Sequence, residues 1–166
     1  IIYYWQKIGS AIHIIDRSKD TGKPVSFYAK TLKEKDYVYG HHFLPHDAAN
    51  RDKGTAISYA DQFSEFGIFV EVMKKESIIL GINTVHSMLP RVLVDDKKVA
   101  DGIDAWEQYH REWDEKRKQH NNIPVHDWSS HDADVLRYIA MCEDSVIGIM
   151  IKPDTRQNHG ASSWMS

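Results

Sequence analysis

The sequence predicts a single α/β domain in which a mixed β-sheet is flanked by helices. The chain opens with two runs of β-branched and aromatic residues that indicate an antiparallel hairpin. Later apolar runs alternate with segments of helical periodicity, which is typical of α/β folds. A hairpin followed by such alternation gives a sheet with both antiparallel and parallel neighbours. The 166 residues are 42% hydrophobic, enough for one packed core.

The individual elements follow from periodicity and from the residues that start and stop them. Gly67 and Pro90 stand where two predicted helices end. The last helix begins with the S-x-x-D spacing of a capping box, formed by Ser129 and Asp132. The predicted elements are, in order, strands 1–7 and 11–17, helix 26–35, strand 37–44, helix 54–66, buried strand 68–73, helix 77–89, strand 92–94, helix 99–118 and helix 129–143.

Two of these helices carry an apolar stripe that predicts their buried face. In both helices the stripe recurs every three or four residues, the spacing that places side chains on one side of a helix. The stripes are Ile78, Ile82, Val85 and Leu89 in helix 77–89, and Ile103, Trp106, His110 and Trp113 in helix 99–118.

Charge and composition exclude several classes of protein. A net charge of −3 provides no overall field to hold DNA, so any nucleic-acid contact must be local. The single cysteine cannot form an internal disulfide, which fits a reducing compartment. The sequence has no apolar run of about 18 residues and no signal-peptide pattern, which argues against a membrane role. Residues 1–150 are predicted to form the domain, and residues 151–166 a flexible tail.

The densest group of ionisable side chains lies at residues 40–47, where a predicted strand runs into a loop. Loops at the carboxyl ends of strands are where α/β proteins gather catalytic groups, so Asp47 is a candidate site residue. The alternative is that Asp47 caps a turn after Pro45. His41 and His42 are adjacent on the predicted strand, so at most one of them is expected to face a given site.

A second polar group lies on the last predicted helix. His131, Asp134 and Tyr138 share one helical face, which can look into a site while the opposite face is buried. Asp132 is assigned to the capping box, so Asp134 is the preferred metal ligand. The alternative is that Asp134 forms an i, i+3 ion pair with Arg137.

Taken in order, these segments resemble the nuclease half of tailed-phage terminase large subunits. The resemblance extends to about Glu143, and its most specific part is His131-x-x-Asp134 followed by Val-Leu-Arg-Tyr. It implies a ribonuclease-H-like mixed sheet and a metal-dependent endonuclease, a hydrolase that cuts concatemeric viral DNA during genome packaging. The similar segments are YGHHFLPHDA at 39–48, GINTVHSMLP at 81–90, the helix 106–113 and PVHDWSSHDADVLRY at 124–138.

The resemblance also implies roles for individual residues. Asp47 matches the second catalytic carboxylate of the family, Asp134 the third, and His131 a histidine that borders the metal site. The first carboxylate of the family lies on a first strand, just ahead of the segment that matches residues 1–6. The chain opens within an apolar run, so this strand is expected to be missing, and Asp16 at the end of the second visible strand is no convincing substitute.

The implied chemistry is phosphodiester hydrolysis with Mg²⁺ or Mn²⁺. Two such ions about 3.5–4 Å apart activate a water and stabilise the leaving oxygen when carboxylates hold them, and carboxylate oxygens suit both metals. Asp47 and Asp134 would be ligands, and His131 would shuttle a proton or hydrogen-bond to a ligand. The implied partners are double-stranded DNA, the phage portal or procapsid and the small terminase subunit. A monomeric domain in the host cytoplasm is expected.

Local cations are candidates for contacts with DNA phosphates. They lie near the edge of the predicted sheet, and the alternative for each of them is an ordinary solvated surface position. The candidates are Arg51, Lys53, Lys74 and Lys75.

Two further interpretations come from other classes of protein. The ten histidines could indicate a zinc hydrolase, although the sequence has no H-E-x-x-H motif. The chain could instead be a non-catalytic ribonuclease-H-like module that holds DNA or a packaging partner. An acidic residue on a strand upstream of Ile1 would favour the nuclease over this docking module. The packaging motor is not part of the chain, because no G-x-x-x-x-G-K-[ST] motif occurs in it.

Overall fold

A computed structural model of the chain describes residues 1–51 and 56–147, and over these residues the fold is mixed α/β with small mixed sheets. The predicted tail and Lys53 lie outside the described residues. The strands are β1 (Ile2–Ile8), β2 (Ala11–Ser18), β3 (Phe43–Leu44), β4 (Glu71–Val72), β5 (Val92–Val94), β6 (Trp113–Asp114) and β7 (Gln119–His120). The helices are α1 (Val25–Glu34), α2 (Tyr59–Glu65), α3 (Ile78–Met88), α4 (Ala100–Gln108) and α5 (Ser130–Cys142), with 3-10 turns at His46–Ala49, Leu89–Arg91 and Glu143–Ser145.

The main sheet has the order β1-β2-β5 and confirms the predicted mixed topology. β1 and β2 form the expected antiparallel hairpin, with Gly9 in the turn at a φ of 59°, a conformation that glycine adopts without strain. β5 runs parallel to β2. The register of the hairpin shifts between Tyr4 and Trp5, where β2 contributes an extra residue as a β-bulge.

The sheet is covered on both faces, which gives the chain two core clusters. Successive side chains of a strand point to opposite faces, so Tyr3 enters one cluster and Tyr4 enters the other. The Tyr3 cluster includes residues of α3 and α5, and its apolar centre is Ile12 and Ile14 of β2. The Tyr4 cluster contains residues of α1 and α2. The domain is therefore layered helix, sheet, helix.

The second sheet consists of β3 and β4 in parallel, and both strands are much shorter than predicted. Residues 37–42 are not a strand. The rings of Tyr37 and Tyr39 pack on the Tyr4 cluster, and their hydroxyl groups form hydrogen bonds outside the β3-β4 sheet. The Tyr37 hydroxyl donates to Asp16 and the Tyr39 hydroxyl donates to the Leu32 carbonyl. The prediction of a buried strand at 68–73 is also wrong, because only two residues pair and both are exposed.

Helix α4 ends at Gln108, so the long helix predicted to residue 118 is wrong. Beyond it the chain forms the β6-β7 hairpin. The Asp114 carboxylate accepts hydrogen bonds from the backbone N–H groups of Lys116 and Arg117, a local turn that competes with helical bonding. Trp113, predicted on the buried stripe, is exposed and packs edge-on against His120.

The start of α5 also differs from the prediction. Ser129 has helical backbone angles and makes no capping bond with its side chain. The Asp127 carboxylate instead accepts from the Ser129 backbone N–H at 2.9 Å and from its hydroxyl at 2.6 Å. Asp132 faces the core and bonds to Arg17 of β2. The capping box formed by Ser129 and Asp132 is therefore wrong, because a long-range partner takes the carboxylate.

Helix α3 lies where it was predicted, but it buries a different face. Gly81, Val85 and Met88 are buried, whereas Leu89 is 47% exposed. The helix packs across α5, and a Cβ at Gly81 would lie 3.1 Å from Cδ of Arg137. This close approach of α5 turns the face of Gly81 inward and leaves part of the predicted stripe in solvent.

The buried face of α3 makes a prediction for stability. Met88→Ala should lower the free energy of unfolding by about 2–5 kcal/mol, because it leaves a cavity at a side chain that is 0% exposed. Leu89→Ala should change it by about 0.5 kcal/mol or less. Urea denaturation of both variants measures the difference. Equal effects at the two positions would contradict the observed orientation of the helix.

Candidate active-site cleft

A cleft of about 1460 Å³ lies between the two sheets. One wall is β1, an edge strand of the main sheet, and the other is the segment 36–47 with β3, an edge strand of the second sheet. α5 contributes its polar face to the cleft. The cleft therefore brings together the two regions in which the sequence predicted site residues.

Asp47 lies in the cleft, directly after β3. The strand ends at Leu44, Pro45 follows in an extended conformation, and Asp47 sits in the first turn of the 3-10 segment at an exposed position. Pro45 occupies the capping position of that turn, so Asp47 is inside the turn and not its cap. The prediction that Asp47 follows the carboxyl end of a strand is confirmed.

The polar face of α5 is oriented as predicted. His131, Asp134 and Tyr138 all line the cleft. The opposite face is buried in the core, which fixes the rotation of the helix about its axis. The buried residues of that face include Ala133, Leu136 and Ala140.

Tyr138 connects the two sides of the cleft. Its hydroxyl lies 3.2 Å from Nδ1 of His46, the residue before Asp47. Burial raises the pKa of Tyr138, and the negative charges of Asp47 and Asp134 raise it further. Asp47, Asp134 and Tyr138 line one cleft, and the contact of Tyr138 with His46 brings α5 close to the segment that carries Asp47.

Asp134 forms the ion pair that was the alternative to a metal-binding role. Nη2 of Arg137 donates to Oδ1 of Asp134. The Arg137 side chain is only 12% exposed, whereas that of Asp134 is 39% exposed. Nε of Arg137 is buried and has no hydrogen-bond partner among the described residues. Asp134 is thus held through one oxygen by a nearly buried guanidinium while its side chain stays accessible.

Both His41 and His42 contribute atoms to the lining of the cleft, and the expectation that at most one of their side chains faces a given site stays a prediction. That expectation assumed a strand, and the strand begins only at Phe43. Nδ1 of His41 lies 2.6 Å from the Glu71 carboxylate. The ring of His42 lies 5.0 Å from that of Tyr39, and burial lowers the pKa of His42.

Asp47 and Asp134 fit a hard divalent cation in chemistry but do not complete a site, and the cleft is also lined by Asp20, Asp36 and Glu76. Asp47 and Asp134 offer carboxylate oxygens of the kind that Mg²⁺ and Mn²⁺ prefer. Over residues 1–51 and 56–147, no group of three or more His, Cys, Asp or Glu side chains could hold a metal ion. Asp16 does not line the cleft, since it is buried and bonded to Lys35 and Tyr37.

The cationic candidates for DNA contact have different positions. Lys75 is exposed and lines the cleft. Lys74 lines a shallow pocket of about 270 Å³ that shares Phe43 with the cleft. Arg51 is exposed and pairs through its backbone with Ser58. Sequence reasoning did not select His46, although its position beside Asp47 is a signal that could have found it.

Comparisons of the chain with models of protein families, with curated proteins and with solved structures found no match. Within the part of the chain that the structure describes, no helix is both long enough and apolar enough to cross a membrane. The arrangement of residues in the cleft is therefore the basis for assigning a function.

Proposed function

We propose that this chain is the nuclease domain of a tailed-phage terminase large subunit, a metal-dependent endonuclease that cuts concatemeric viral DNA. The observation that carries the proposal is the meeting of Asp47 and Asp134 in one cleft. One follows a strand and the other lies on a helix 87 positions later, and the contact between His46 and Tyr138 joins the two elements. Carboxylates from separate elements in an open cleft suit the binding of divalent ions and a phosphodiester.

The gap between the two sheets supports a ribonuclease-H-like fold. Neighbouring strands lie about 4.8 Å apart, packed layers lie about 10 Å apart, and a strand rises about 3.3 Å per residue. The product of these three lengths for seven residues is a volume of roughly 1100 Å³. The cleft of about 1460 Å³ extends from β1 to β3 and is also lined by residues of β2, α1, α2 and α5, and β1 itself has seven residues. In this proposal an additional strand enters between β1 and β3, joins the sheets and carries the first carboxylate.

The residues of the cleft take separate parts in this mechanism. Asp47 and Asp134 would hold Mg²⁺ or Mn²⁺, with two ions in the complete site. The metal would make a bound water more acidic and stabilise the leaving oxygen. His131 is exposed on the same wall as Asp134, where it would move a proton or orient a ligand. Lys75 would contact a phosphate of double-stranded DNA.

The biological setting of the proposal comes from the family resemblance. The domain would act as a monomer in the host cytoplasm. Its partners would be the portal or procapsid and the small terminase subunit, which bring the nuclease to the DNA that is being packaged.

The proposal predicts a metal-dependent cleavage of DNA with little sequence preference. Because it assigns the first carboxylate to a strand outside these 166 residues, the assay uses the chain extended upstream of Ile1. Supercoiled plasmid should be nicked and then linearised with Mn²⁺ or Mg²⁺, and EDTA should abolish the reaction. Agarose gels follow the conversion. A protein that stays inert with either metal would overturn the proposal.

A non-catalytic docking module is the second candidate. It is favoured by the ion pair between Asp134 and Arg137, because that contact occupies an oxygen which a metal would need in a bidentate arrangement. Such a module would bind double-stranded DNA in a mobility-shift assay and leave it uncut with either metal. Binding without cleavage would support this candidate over the nuclease.

A further inference from the structure

We propose that His46 and Tyr138 form a positioning pair that sets the separation of Asp47 and Asp134. This inference rests on the proposed function. Nδ1 of His46 and the Tyr138 hydroxyl lie 3.2 Å apart and are partly buried, although 92 residues separate them along the chain. The contact joins the segment that carries one carboxylate to the helix that carries the other.

Each member of the pair is close to the carboxylate that it would position. His46 is the residue before Asp47. Tyr138 follows Asp134 by four residues, so it lies one turn further along the same face of α5. A change in the contact between His46 and Tyr138 therefore moves both carboxylates relative to each other.

The segment His46–Ala49 is packed through the buried side chain of Ala48, and the contact of His46 with Tyr138 fixes it on the side of α5. It is a 3-10 turn of four residues, and such short turns have poor hydrogen-bond geometry. Its backbone contributes the bonds from Ala48 N–H to the Pro45 carbonyl and from Asn50 N–H to the Asp47 carbonyl. Metal ligands must be held to within about 0.5 Å. The side-chain bond to α5 supplies a fixed point directly beside Asp47.

The Tyr138 hydroxyl can donate its proton to Nδ1 of His46 in the tautomer that has its proton on the other ring nitrogen. Neither side chain needs to touch the substrate. His46 and Tyr138 would position the metal ligands, whereas Asp47 and Asp134 would bind the metal themselves.

Tyr138→Phe tests the pair because it removes only the hydroxyl. In the metal-free 166-residue chain, amide exchange at Ala48 and Asn50 should accelerate roughly two- to tenfold, the range that one hydrogen bond of ordinary strength supports. Tyr28→Phe is the matched control, since its exposed hydroxyl donates to the Asp20 carbonyl and Tyr28 does not line the cleft. Exchange at Ala48 and Asn50 that is the same in both variants would overturn the proposal.

Substitutions of His46 provide a rescue test of the same contact. His46→Asn keeps a hydrogen-bonding atom near the position of Nδ1, whereas His46→Gln moves it to the region of Nε2. In the chain extended upstream of Ile1, His46→Gln and Tyr138→Phe should weaken Mn²⁺ binding by about two- to tenfold in calorimetric titrations, the effect of losing one ordinary hydrogen bond. His46→Asn should restore most of it. Equal affinities for the Asn and Gln variants would reject the positioning role.

The two experiments separate this inference from the function on which it rests. If the extended wild-type chain binds no Mn²⁺ and yet Tyr138→Phe accelerates exchange, the proposed function fails while the contact itself holds. If the wild-type chain binds Mn²⁺ and Tyr138→Phe leaves both readouts unchanged, the positioning pair is wrong and the nuclease assignment stands.

Discussion

Asp132→Ala is expected to lower the free energy of unfolding by about 3–5 kcal/mol, because the buried guanidinium of Arg17 would keep only the 3.4 Å contact with the exposed carboxylate of Asp101. Asp132 is 0% exposed and the side chain of Arg17 is only 5% exposed. Nε of Arg17 donates to Oδ1 of Asp132 at 2.7 Å, and Nη2 donates to Oδ2 at 3.0 Å. The Tyr3 hydroxyl donates to the same Oδ1 at 2.7 Å. Three elements, β1, β2 and α5, thus meet at one carboxylate.

Urea denaturation of the variant measures this loss, and two further variants define its origin. Glu34→Ala, which breaks the exposed pair with Lys30, should change stability by about 0.5 kcal/mol or less. The double replacement Arg17→Met with Asp132→Leu should recover part of the loss, since no unpaired charge remains buried. An Asp132→Ala variant within about 1 kcal/mol of wild type would contradict this account.

The contribution of Asp132 should also depend on pH. Burial by itself would raise the pKa of this carboxyl, but the hydrogen bonds from Arg17 and Tyr3 outweigh burial and hold the pKa below its usual value. A carboxyl with a lowered folded-state pKa contributes its full stability above the unfolded value of about 3.9. That stability is lost as the pH falls below this value towards the folded pKa. The difference between wild type and Asp132→Ala should therefore shrink in acid.

Asp132 also illustrates what the sequence could not predict. Its spacing from Ser129 matches a capping box, and a local pattern carries no information about Arg17, which lies 115 residues away. Helix α5 itself was predictable, because its periodicity is local. The length of α4 was not, since the turn around Asp114 ends the helical stretch although the apolar spacing continues to Trp113.

The candidate site was predictable to the extent that its residues lie on regular structure. The shared face of His131 and Asp134 follows from helical geometry alone, and Asp47 follows from the end of a strand. The sequence could not predict that His41 and His42 precede β3, because the residue pattern of 37–44 does not show where the strand begins. The contact of His46 with α5 was equally hidden, since the elements that form it are far apart in the chain.

The positions of the acidic residues around Asp134 decide what the loss of Asp134 should do to cleavage. Asp127 and Asp132 are the acidic neighbours of Asp134 in the chain, and neither lines the cleft. Asp127 accepts bonds from Ser129 at the start of α5, and Asp132 is buried under Arg17. Neither neighbour can therefore replace Asp134 as a metal ligand. Cleavage that persists in Asp134→Ala would contradict a site formed by Asp47 and Asp134.

Asp47→Ala and Asp134→Ala should each abolish detectable plasmid cleavage in the chain extended upstream of Ile1. A bound metal stabilises the transition state by several kcal/mol, and each 1.4 kcal/mol or so changes the rate tenfold. The cleavage rate should therefore fall by more than about 100-fold. Asp47→Ala should leave the fold unchanged, because Asp47 is exposed. Asp134→Ala should retain the fold at a cost of about 1–3 kcal/mol, because the nearly buried guanidinium of Arg137 loses its ion pair. Circular dichroism checks the fold. Asp104→Ala, at an exposed position of α4 away from the cleft, should cut DNA at the wild-type rate.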